Sequence, residues 1–341
     1  MRPGLEELLP ALRCPATGSP LALRDGELVA SEGQRRYRIA DGVPLLIAEE
    51  RSLFDLDVLE HPSDERARAR LPARLRASVR GLLARLVALP PTHTRNVAAA
   101  ENLRALAELV RERGRAAGRP GRVLVIGGRT VGAGMEPILD DPELDVVETD
   151  VALGPRTQLV CDAHDLPFVD ESFDAVVIQA VLESVVDPGR VAQEVHRVLG
   201  DGGLVYSEAP FLQQVHEGAY DFNRFTQLGH RRLWRHFDEL RSGAQCGPGM
   251  ALVWSVEYFL QAFAGNHRLA RGLVSRIVTL AGFWLKYFDD FLARRPAGVD
   301  AASGTFFLGR RREEPIPDRE IVRAFRGVPP RGQRLPRSRA G

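Results

Sequence analysis

The chain has 341 residues, of which 44% are hydrophobic and 27% are charged, and its formal net charge is +1. This composition indicates a globular protein, long enough for a full α/β domain and a smaller unit, and the near-neutral charge argues against binding nucleic acid over the whole surface. Three cysteines, Cys14, Cys161 and Cys246, lie far apart and lack the paired spacing of a disulfide framework or a zinc site.

The chain shows no sign of a targeting or membrane-spanning segment. The first residues lack a basic start followed by an apolar core, which is the pattern of a secretory signal. No uninterrupted apolar run reaches the ~20 residues that a bilayer requires. We therefore expect a cytoplasmic protein.

Residues 1–50 are predicted to form a small β-rich unit of their own. Short apolar runs at 21–23 and 27–30 are typical of strands, and residues 37–47 indicate two strands joined by a turn at Asp41-Gly42. Residues 51–119 then indicate an Arg-rich helical connector. Its leucines recur at helical spacing in two stretches, on either side of Pro90-Pro91.

From residue 120 to 312 the predicted elements alternate between strand and helix. Strands are expected near 122–126, 145–149, 158–161, 173–179 and 203–208, with a helix at 188–199. Such alternation predicts an α/β fold with a doubly wound, Rossmann-like parallel sheet. A late strand at 304–310 is expected as an antiparallel edge. A helical insertion is expected at 248–298, and the Pro- and Arg-rich residues 313–341 indicate a disordered tail.

One ordered set of motifs indicates a nucleotide cofactor. A buried strand leads into a turn that begins Gly127-Gly128, and the next strand ends on Asp150, 23 residues after Gly127. Glycines let the backbone approach a ligand closely, and an acid at that position can accept hydrogen bonds from ribose hydroxyls. Taken singly, the glycines could serve turn geometry and Asp150 could cap a helix. The order of the pieces favours the cofactor.

Residues 122–240 resemble a class I S-adenosylmethionine-dependent methyltransferase of the type 11 kind. The most specific match runs from Asp162 through Leu-Pro-Phe168 to Phe173-Asp-Ala-Val-Val177. The resemblance implies S-adenosylmethionine as cofactor and a role for each matched residue. Gly127 and Gly128 would cradle its methionine end, Asp150 would hold the ribose, Asp162 and Ala163 would lie beside the adenine, and Gln179 would face the reacting centre.

Two positions depart from the family pattern. Arg129 stands where the family usually has another glycine, and Ser184 replaces a common histidine. These departures leave open a catalytically silent scaffold with the same fold. A nicotinamide oxidoreductase is a weaker alternative, since its fingerprint includes neither the Leu-Pro-Phe stretch nor the following Phe-Asp.

Residues 1–50 in turn resemble the small zinc-ribbon-like Trm112 family, which accompanies methyltransferases as a fused domain or a partner. Zinc-binding members have a second cysteine three positions after the first. Here Thr17 follows Cys14 at that spacing, and the other cysteine pair is missing. Because a tetrahedral zinc site needs about four N or S ligands, no metal is expected.

The segment after the fifth strand supplies the candidates for catalysis. Glu208, His216 and Asp221 fall in a stretch rich in titratable and aromatic side chains. Methyl transfer to a hydroxyl requires an aligned nucleophile and removal of its proton. His216 is the first choice for the base because its unperturbed pKa is ~6.5. Alternatively, Asp221 and Arg224 could simply pair, and His216 could be a satisfied loop residue.

The apolar insertion allows two interpretations. Residues 250–292 carry apolar side chains at helical spacing, interrupted by charges. They could form a cap over the acceptor pocket or a homodimer contact. They could also lie on a membrane surface and receive a lipid-linked acceptor.

The predicted function is methyl transfer to a small-molecule or glycan acceptor, at a hydroxyl oxygen. The alternative is an RNA or translation-factor methyltransferase, suggested by the Trm112-like unit and the Arg-rich connector. Nucleic acid is the less favoured partner because the net charge is near neutral.

Overall fold

The computed structural model describes residues 4–33, 35–54, 92 and 94–332. The first helical stretch predicted for the connector, its Pro90-Pro91 break and the last residues of the tail lie outside these ranges. The strands are β1 (Leu21–Arg24), β2 (Glu27–Ala30), β3 (Arg36–Tyr37), β4 (Ile39–Ala40), β5 (Val43–Leu46), β6 (Gly121–Ile126), β7 (Leu144–Asp150), β8 (Leu159–Cys161), β9 (Phe173–Gln179), β10 (Leu199–Pro210), β11 (Phe237–Cys246) and β12 (Gly304–Arg311).

Helices surround this set of strands. They are α1 (Leu5–Leu8), α2 (Ala99–Ala116), α3 (Glu136–Leu139), α4 (Pro188–Val198), α5 (Gln227–Leu233), α6 (Pro248–Ala264), α7 (Arg268–Gly282), α8 (Asp289–Leu292), α9 (Pro296–Asp300) and α10 (Asp318–Arg323). Short 3₁₀ turns occupy Leu9–Ala11, Glu49–Arg51, Gly218–Tyr220 and Phe283–Tyr287.

A nine-stranded mixed sheet forms the centre, in the order β11-β12-β10-β9-β6-β7-β8-β5-β4. The strands from β5 to β10 pair in parallel, whereas β12 runs antiparallel between β10 and β11. The predicted α/β class with a doubly wound, Rossmann-like sheet is confirmed. Strands β1–β3 form a separate small antiparallel sheet.

The central strands are apolar because both of their faces are covered. Successive side chains of a strand point to opposite faces. Accordingly, Leu124 and Val176 pack in one buried cluster with α4, and Val123 and Val177 pack in another with α2. Asp187 begins α4, since its carboxylate accepts a hydrogen bond from the Arg190 N–H at 3.0 Å. The predicted helix at 188–199 is thus confirmed to within one residue.

The N-terminal β-unit is joined more closely to the rest of the chain than the sequence predicts. β5 joins the large sheet through parallel pairing of Leu45 with Val160 and Leu46 with Cys161. Leu28 of the small sheet packs in the same buried cluster as Leu124 of β6. The local pattern of apolar residues predicted the strands, but it does not predict which distant strand each of them pairs with.

Two further expectations need correction. β12 is not the edge of the sheet, because β11 pairs outside it; the polar, half-exposed residues of β11 gave no strand pattern. Residues 313–332 are also ordered rather than disordered. They contain α10 and bury Ile316 and Ile321, which anchor the segment despite its Arg-rich composition. Among the described residues, no helix has both the length and the apolarity to cross a bilayer.

Because the small N-terminal sheet and the large sheet share one buried cluster, we expect them to unfold together. Leu28→Ala removes a side chain that is 0% exposed and should lower the free energy of unfolding by about 2–5 kcal/mol. Because Leu28 lies in the main cluster, urea unfolding should remain one transition, coincident by circular dichroism and tryptophan fluorescence. Leu23→Ala, at a side chain that is 45% exposed, is the control and should change little. A separate early transition in Leu28→Ala would show an independent N-terminal unit.

Candidate active site

The carboxyl ends of β6, β7, β9 and β10 meet at one edge of the sheet, where a cavity of about 760 Å³ opens. Ligands bind at this edge in open α/β sheets. Its lining includes seven residues that the sequence predicts for the site: Gly127, Gly128, Asp150, Asp162, Ala163, Gln179 and Glu208. The two remaining predictions, His216 and Asp221, do not line this cavity.

The glycine turn after β6 is held tightly against its neighbours. The N–H groups of Gly127 and Gly128 both donate to the Thr149 carbonyl, at 2.9 and 2.8 Å. Gly127 has a φ of +84°, and a Cβ there would collide with Val181. A Cβ on Gly128 would lie 2.9 Å from the Cβ of Glu148. Packing against Val181 and Glu148 therefore requires glycine at both positions, and these two N–H groups are already used within the protein.

Asp150 closes β7 beside that turn. Its Oδ2 accepts a hydrogen bond from the Arg129 N–H, and its Oδ1 accepts one from the Ala152 N–H, both at 3.1 Å. A carboxylate has about four lone-pair sites, so each oxygen can still accept a bond from a ribose hydroxyl. The Arg129 side chain is exposed and lies against Gly154, where a Cβ would collide with it.

Asp162 is buried and follows β8. Its Oδ1 accepts from the N–H and the Nδ1 of His164, at 2.9 and 2.6 Å, and its Oδ2 accepts from Ser52 Oγ at 2.5 Å. Because the Asp187 N–H donates to His164 Nε2 at 3.1 Å, the ring proton sits on Nδ1. Burial raises the pKa of Asp162, but the bonds from His164 and Ser52 outweigh it and the net pKa is lowered.

Glu208 lies near the end of β10 and is buried. Its Oε1 accepts from the Tyr206 hydroxyl and from Asn96 Nδ2. Its Oε2 accepts from Gln179 Nε2 and Gln245 Nε2, each at 2.9 Å. No ion pair to this carboxylate occurs in the described part of the chain. Burial raises the pKa of Glu208, and although the bonds from Tyr206, Asn96 and Gln179 oppose that rise, the net pKa lies above its ordinary value.

This network defines what Glu208 can do. Three amide groups present N–H donors to it, which suits an ionised carboxylate. Since its lone-pair sites are filled, Glu208 is poorly placed to accept a proton. In its ionised form it instead presents a negative charge to the cavity. Asn96 and Gln245 were missed from the sequence because they lie 112 and 37 residues from Glu208, beyond the reach of any local pattern.

His216 lines a second, smaller cavity of about 160 Å³, which shares Glu208 with the first. Its Nε2 is 3.6 Å from Glu183 Oε1, and its Nδ1 is 3.2 Å from the Gln214 carbonyl. The bond with Glu183 raises the pKa of His216, although burial lowers it. Both ring nitrogens thus face acceptors, which favours the protonated ring.

Glu183 is a site residue that the sequence did not single out. It is 1% exposed and lines the small cavity beside His216. Its Oε2 has no hydrogen-bond partner within the described ranges. Burying a carboxylate oxygen without a hydrogen-bond partner costs free energy. A hydroxyl of the bound methyl acceptor could donate a hydrogen bond to this oxygen and offset that cost. The only signal in the sequence was its position four residues after Gln179.

Asp221 has a structural role. Its carboxylate is paired with Arg224 and accepts from the His216 N–H at 2.8 Å. The Arg224 guanidinium lowers the pKa of Asp221 to about 2. Arg224 also donates to the Gln213 and Gln214 carbonyls, at 2.7 and 3.0 Å. The pair therefore shapes the loop that carries His216 and is not available as a base.

The positions where the resemblance would place zinc ligands bond to other side chains. Cys14 Sγ lies 3.1 Å from the Tyr37 hydroxyl, and Thr17 Oγ1 lies 2.8 Å from Ser19 Oγ. Among the residues that the structure describes, no group of three or more His, Cys, Asp or Glu side chains could hold a metal ion.

Comparison with protein families matches residues 139–207 to the family described as "Methyltransferase domain". The match includes Asp150, Asp162, Gln179 and Glu183, and ends just before Glu208. Residues 139–207, which run from the end of α3 into β10, are therefore similar to a methyltransferase domain.

Curated relatives match the chain over segments of 63 and 88 residues. It is 44% identical over 63 residues to a demethylmenaquinone methyltransferase of Clavibacter sepedonicus, covering 18% of this chain and 26% of the relative. It is 39% identical over 88 residues to a demethylmenaquinone methyltransferase of Paenarthrobacter aurescens, covering 23% of this chain and 34% of the relative. The chain thus spans only about a quarter to a third of the length of these relatives.

Solved structures with a similar arrangement include phosphoethanolamine N-methyltransferase 2 of Haemonchus contortus in complex with S-adenosyl-L-methionine. The identity is 15%, the alignment covers 64% of this chain and 57% of that chain, and the TM-score is 0.38. A superposition this partial supports no inference about function.

The free acceptor sites of Asp150 lead us to expect that its carboxylate contributes to the binding of S-adenosylmethionine. Asp150→Ala removes the carboxylate expected to accept the ribose hydroxyls, and each hydrogen bond to a charged group contributes about 1.5–3 kcal/mol. The affinity for S-adenosylmethionine, measured by titration calorimetry, should fall by about tenfold or more. Asp201→Ala, at an exposed acid near the start of β10, is the control. Equal affinity in wild type and Asp150→Ala would remove Asp150 from the site.

Proposed function

We propose that this chain transfers a methyl group from S-adenosylmethionine to a hydroxyl of a small-molecule or saccharide acceptor. The observation that carries the proposal is the large cavity at the strand ends, which is lined by the glycine turn, Asp150, Asp162 and Glu208. Its volume of about 760 Å³ lies in the range of cofactor and ligand sites. The bound cofactor would supply both the methyl group and the leaving group.

The residues present fit this cofactor in three respects. The turn at Gly127-Gly128 lines the cavity with backbone that carries no side chains. Asp150 retains acceptor sites on both carboxylate oxygens. Glu208 offers a negative charge within a buried network, which favours a cationic sulfonium over its neutral product. Gln179 would support that charge, since its amide donates to Glu208.

On the acceptor side, we assign the proton-accepting role to the pair of Glu183 and His216. The unpartnered Oε2 of Glu183 is the group available to a donor in the small cavity. It would accept the hydroxyl proton, while the neighbouring imidazolium of His216 balances the carboxylate charge. This differs from the expectation from sequence, in which His216, Glu208 or Asp221 was the base.

The remaining chain would position this machinery. Residues 120–312 form the methyltransferase domain in this proposal, and 248–298 form its cap, from which Met250 reaches the cavity lining. Residues 1–50 serve as a Trm112-like front unit. The hydrogen bond from Ser52 to Asp162, just beyond that unit, supports a role in fixing the adenine side of the site.

Transfer of label tests the function directly. Purified protein is incubated with methyl-labelled S-adenosylmethionine and an extract of the source cell, and the extract is then fractionated. The proposal predicts label in a small-molecule or glycan fraction, strongly reduced with Asp150→Ala. Label confined to RNA or to a translation factor would instead support the alternative substrate class. Cofactor binding without transfer to any fraction would indicate a silent scaffold.

The Glu183–His216 pair predicts a specific pH dependence. Removing the negative partner in Glu183→Gln should lower the pKa of His216 towards ~6.5, as followed by NMR titration of its ring. The wild type should have a larger free energy of unfolding than Glu183→Gln, and this difference should be at its full value below pH ~6.5. The difference should disappear as the pH rises through the raised pKa of His216. In the same variant kcat should fall by about 10²-fold or more, with cofactor affinity unchanged.

Glu217→Gln is the matched control for this pair. Glu217 Oε1 also approaches His216 Nε2, at 3.9 Å, but its side chain is exposed to solvent. Solvent screens such a contact, so the histidine titration should stay close to wild type. Full activity in Glu183→Gln would exclude Glu183 as the proton acceptor.

A further inference from the structure

Helices α6 and α7 form an antiparallel hairpin whose outer side chains are largely apolar and exposed. The close approach of Gly282, at the end of α7, to Val253 near the start of α6 shows that the helices run in opposite directions. The large exposed apolar residues of the hairpin and the turns that follow it are Leu252, Val256, Phe259, Leu260, Phe263, Leu269, Leu273, Ile277, Leu280, Trp284, Tyr287, Phe288 and Phe291. We name this set the apolar cap surface.

The exposure of the apolar cap surface is greatest at the tip of the hairpin. Phe263 is 79% exposed and Leu269 is 91% exposed. Along α7, exposed residues recur at Leu269, Leu273, Ile277 and Leu280, a spacing that places them on one helix face. Contiguous exposed apolar patches on a protein mark interaction sites. Scattered exposure of single apolar residues would need no such explanation.

The exposed charged side chains of α6 and α7 are all basic. Arg268, Arg271, Arg276 and Arg294 are exposed. The acids of residues 248–295 are occupied: Glu257 accepts from Gln261, and Asp289 accepts from the N–H groups of Gly249 and Met250. Asp290 is paired with Arg95 through two bonds of 2.9 Å. The apolar cap surface is thus bordered by cations whose nearby acids are engaged elsewhere.

Apolar side chains, aromatic side chains and cations together match an anionic lipid surface. Aromatic rings such as those of Trp284 and Tyr287 suit the boundary between lipid and water. Arginines add electrostatic attraction to anionic headgroups. Since no described helix can cross a bilayer, the hairpin would lie on the membrane. A symmetric contact with a second copy is disfavoured, because it would bring two arginine borders together.

We propose that the apolar cap surface docks this protein on anionic membranes. The inner side of the same hairpin contributes Met250 to the lining of the large cavity, so docking would set the membrane close to the candidate site. This inference rests on exposed side chains and charge, and it holds whether or not the methyl acceptor is the one proposed above.

Vesicle flotation with the full-length protein tests the proposal. The protein should float with vesicles that contain phosphatidylglycerol and much less with vesicles of phosphatidylcholine alone, and added salt should weaken binding. Phe263→Asp combined with Leu269→Asp should weaken partitioning by about tenfold or more, since burial of each side chain contributes about 1.5–3 kcal/mol. Leu23→Asp, at an exposed leucine of the small N-terminal sheet, is the matched control.

Two readouts separate docking from other effects. Calorimetric binding of S-adenosylmethionine should be the same in the double variant and the wild type, because neither residue lines a cavity. Absence of binding to both kinds of vesicle would overturn the proposal. So would a dimer in analytical ultracentrifugation that the same double variant dissociates, since a second copy would then occupy the surface.

Discussion

Parallel pairing of β6, β7, β9 and β10 brings the carboxyl ends of these strands to one edge of the sheet, and every part of the candidate site depends on that alignment. The pairing places Ile126 beside Thr149 and Ile178, so the residues that follow these strands are neighbours in space. Hydrophobic burial on both faces fixes the strands, since helices cover each side. Asp150 and Gln179 lie where β7 and β9 end, and so face the cavity.

The alignment of the strands places the buried carboxylate of Glu208 at that edge of the sheet. Glu208 is held by neutral donors from Tyr206, Asn96, Gln179 and Gln245, with no cation paired to it in the described residues. Neutral donors favour the ionised carboxylate against the effect of burial, which raises its pKa. They do not cancel its charge, whereas a paired arginine would. The site is therefore arranged to attract a cation, whereas Asp221, fully engaged by Arg224, is arranged to shape a loop.

The sequence predicted what depends on local pattern. Apolar runs located the central strands, and the order of the glycine turn, Asp150 and Asp162 located the cavity. Three kinds of feature escaped prediction for physical reasons. The strand β11 lacks the alternation of apolar and polar residues because it lies at the sheet edge. Ser52 donates a hydrogen bond to Asp162, which is 110 residues away in the sequence. The lack of a partner for Glu183 Oε2 can be recognised only when the positions of the surrounding residues are known.

A crystal structure with S-adenosylhomocysteine bound would show whether the strand-end cavity holds the cofactor. We expect density in that cavity, with the ribose hydroxyls within hydrogen-bond distance of the Asp150 carboxylate and the adenine beside Asp162 and Ala163. The Tyr206–Glu208–Gln179 network should be unchanged in that complex. Density at another location, or a cavity filled by the Arg129 side chain at saturating ligand, would contradict the assignment of this edge as the cofactor site.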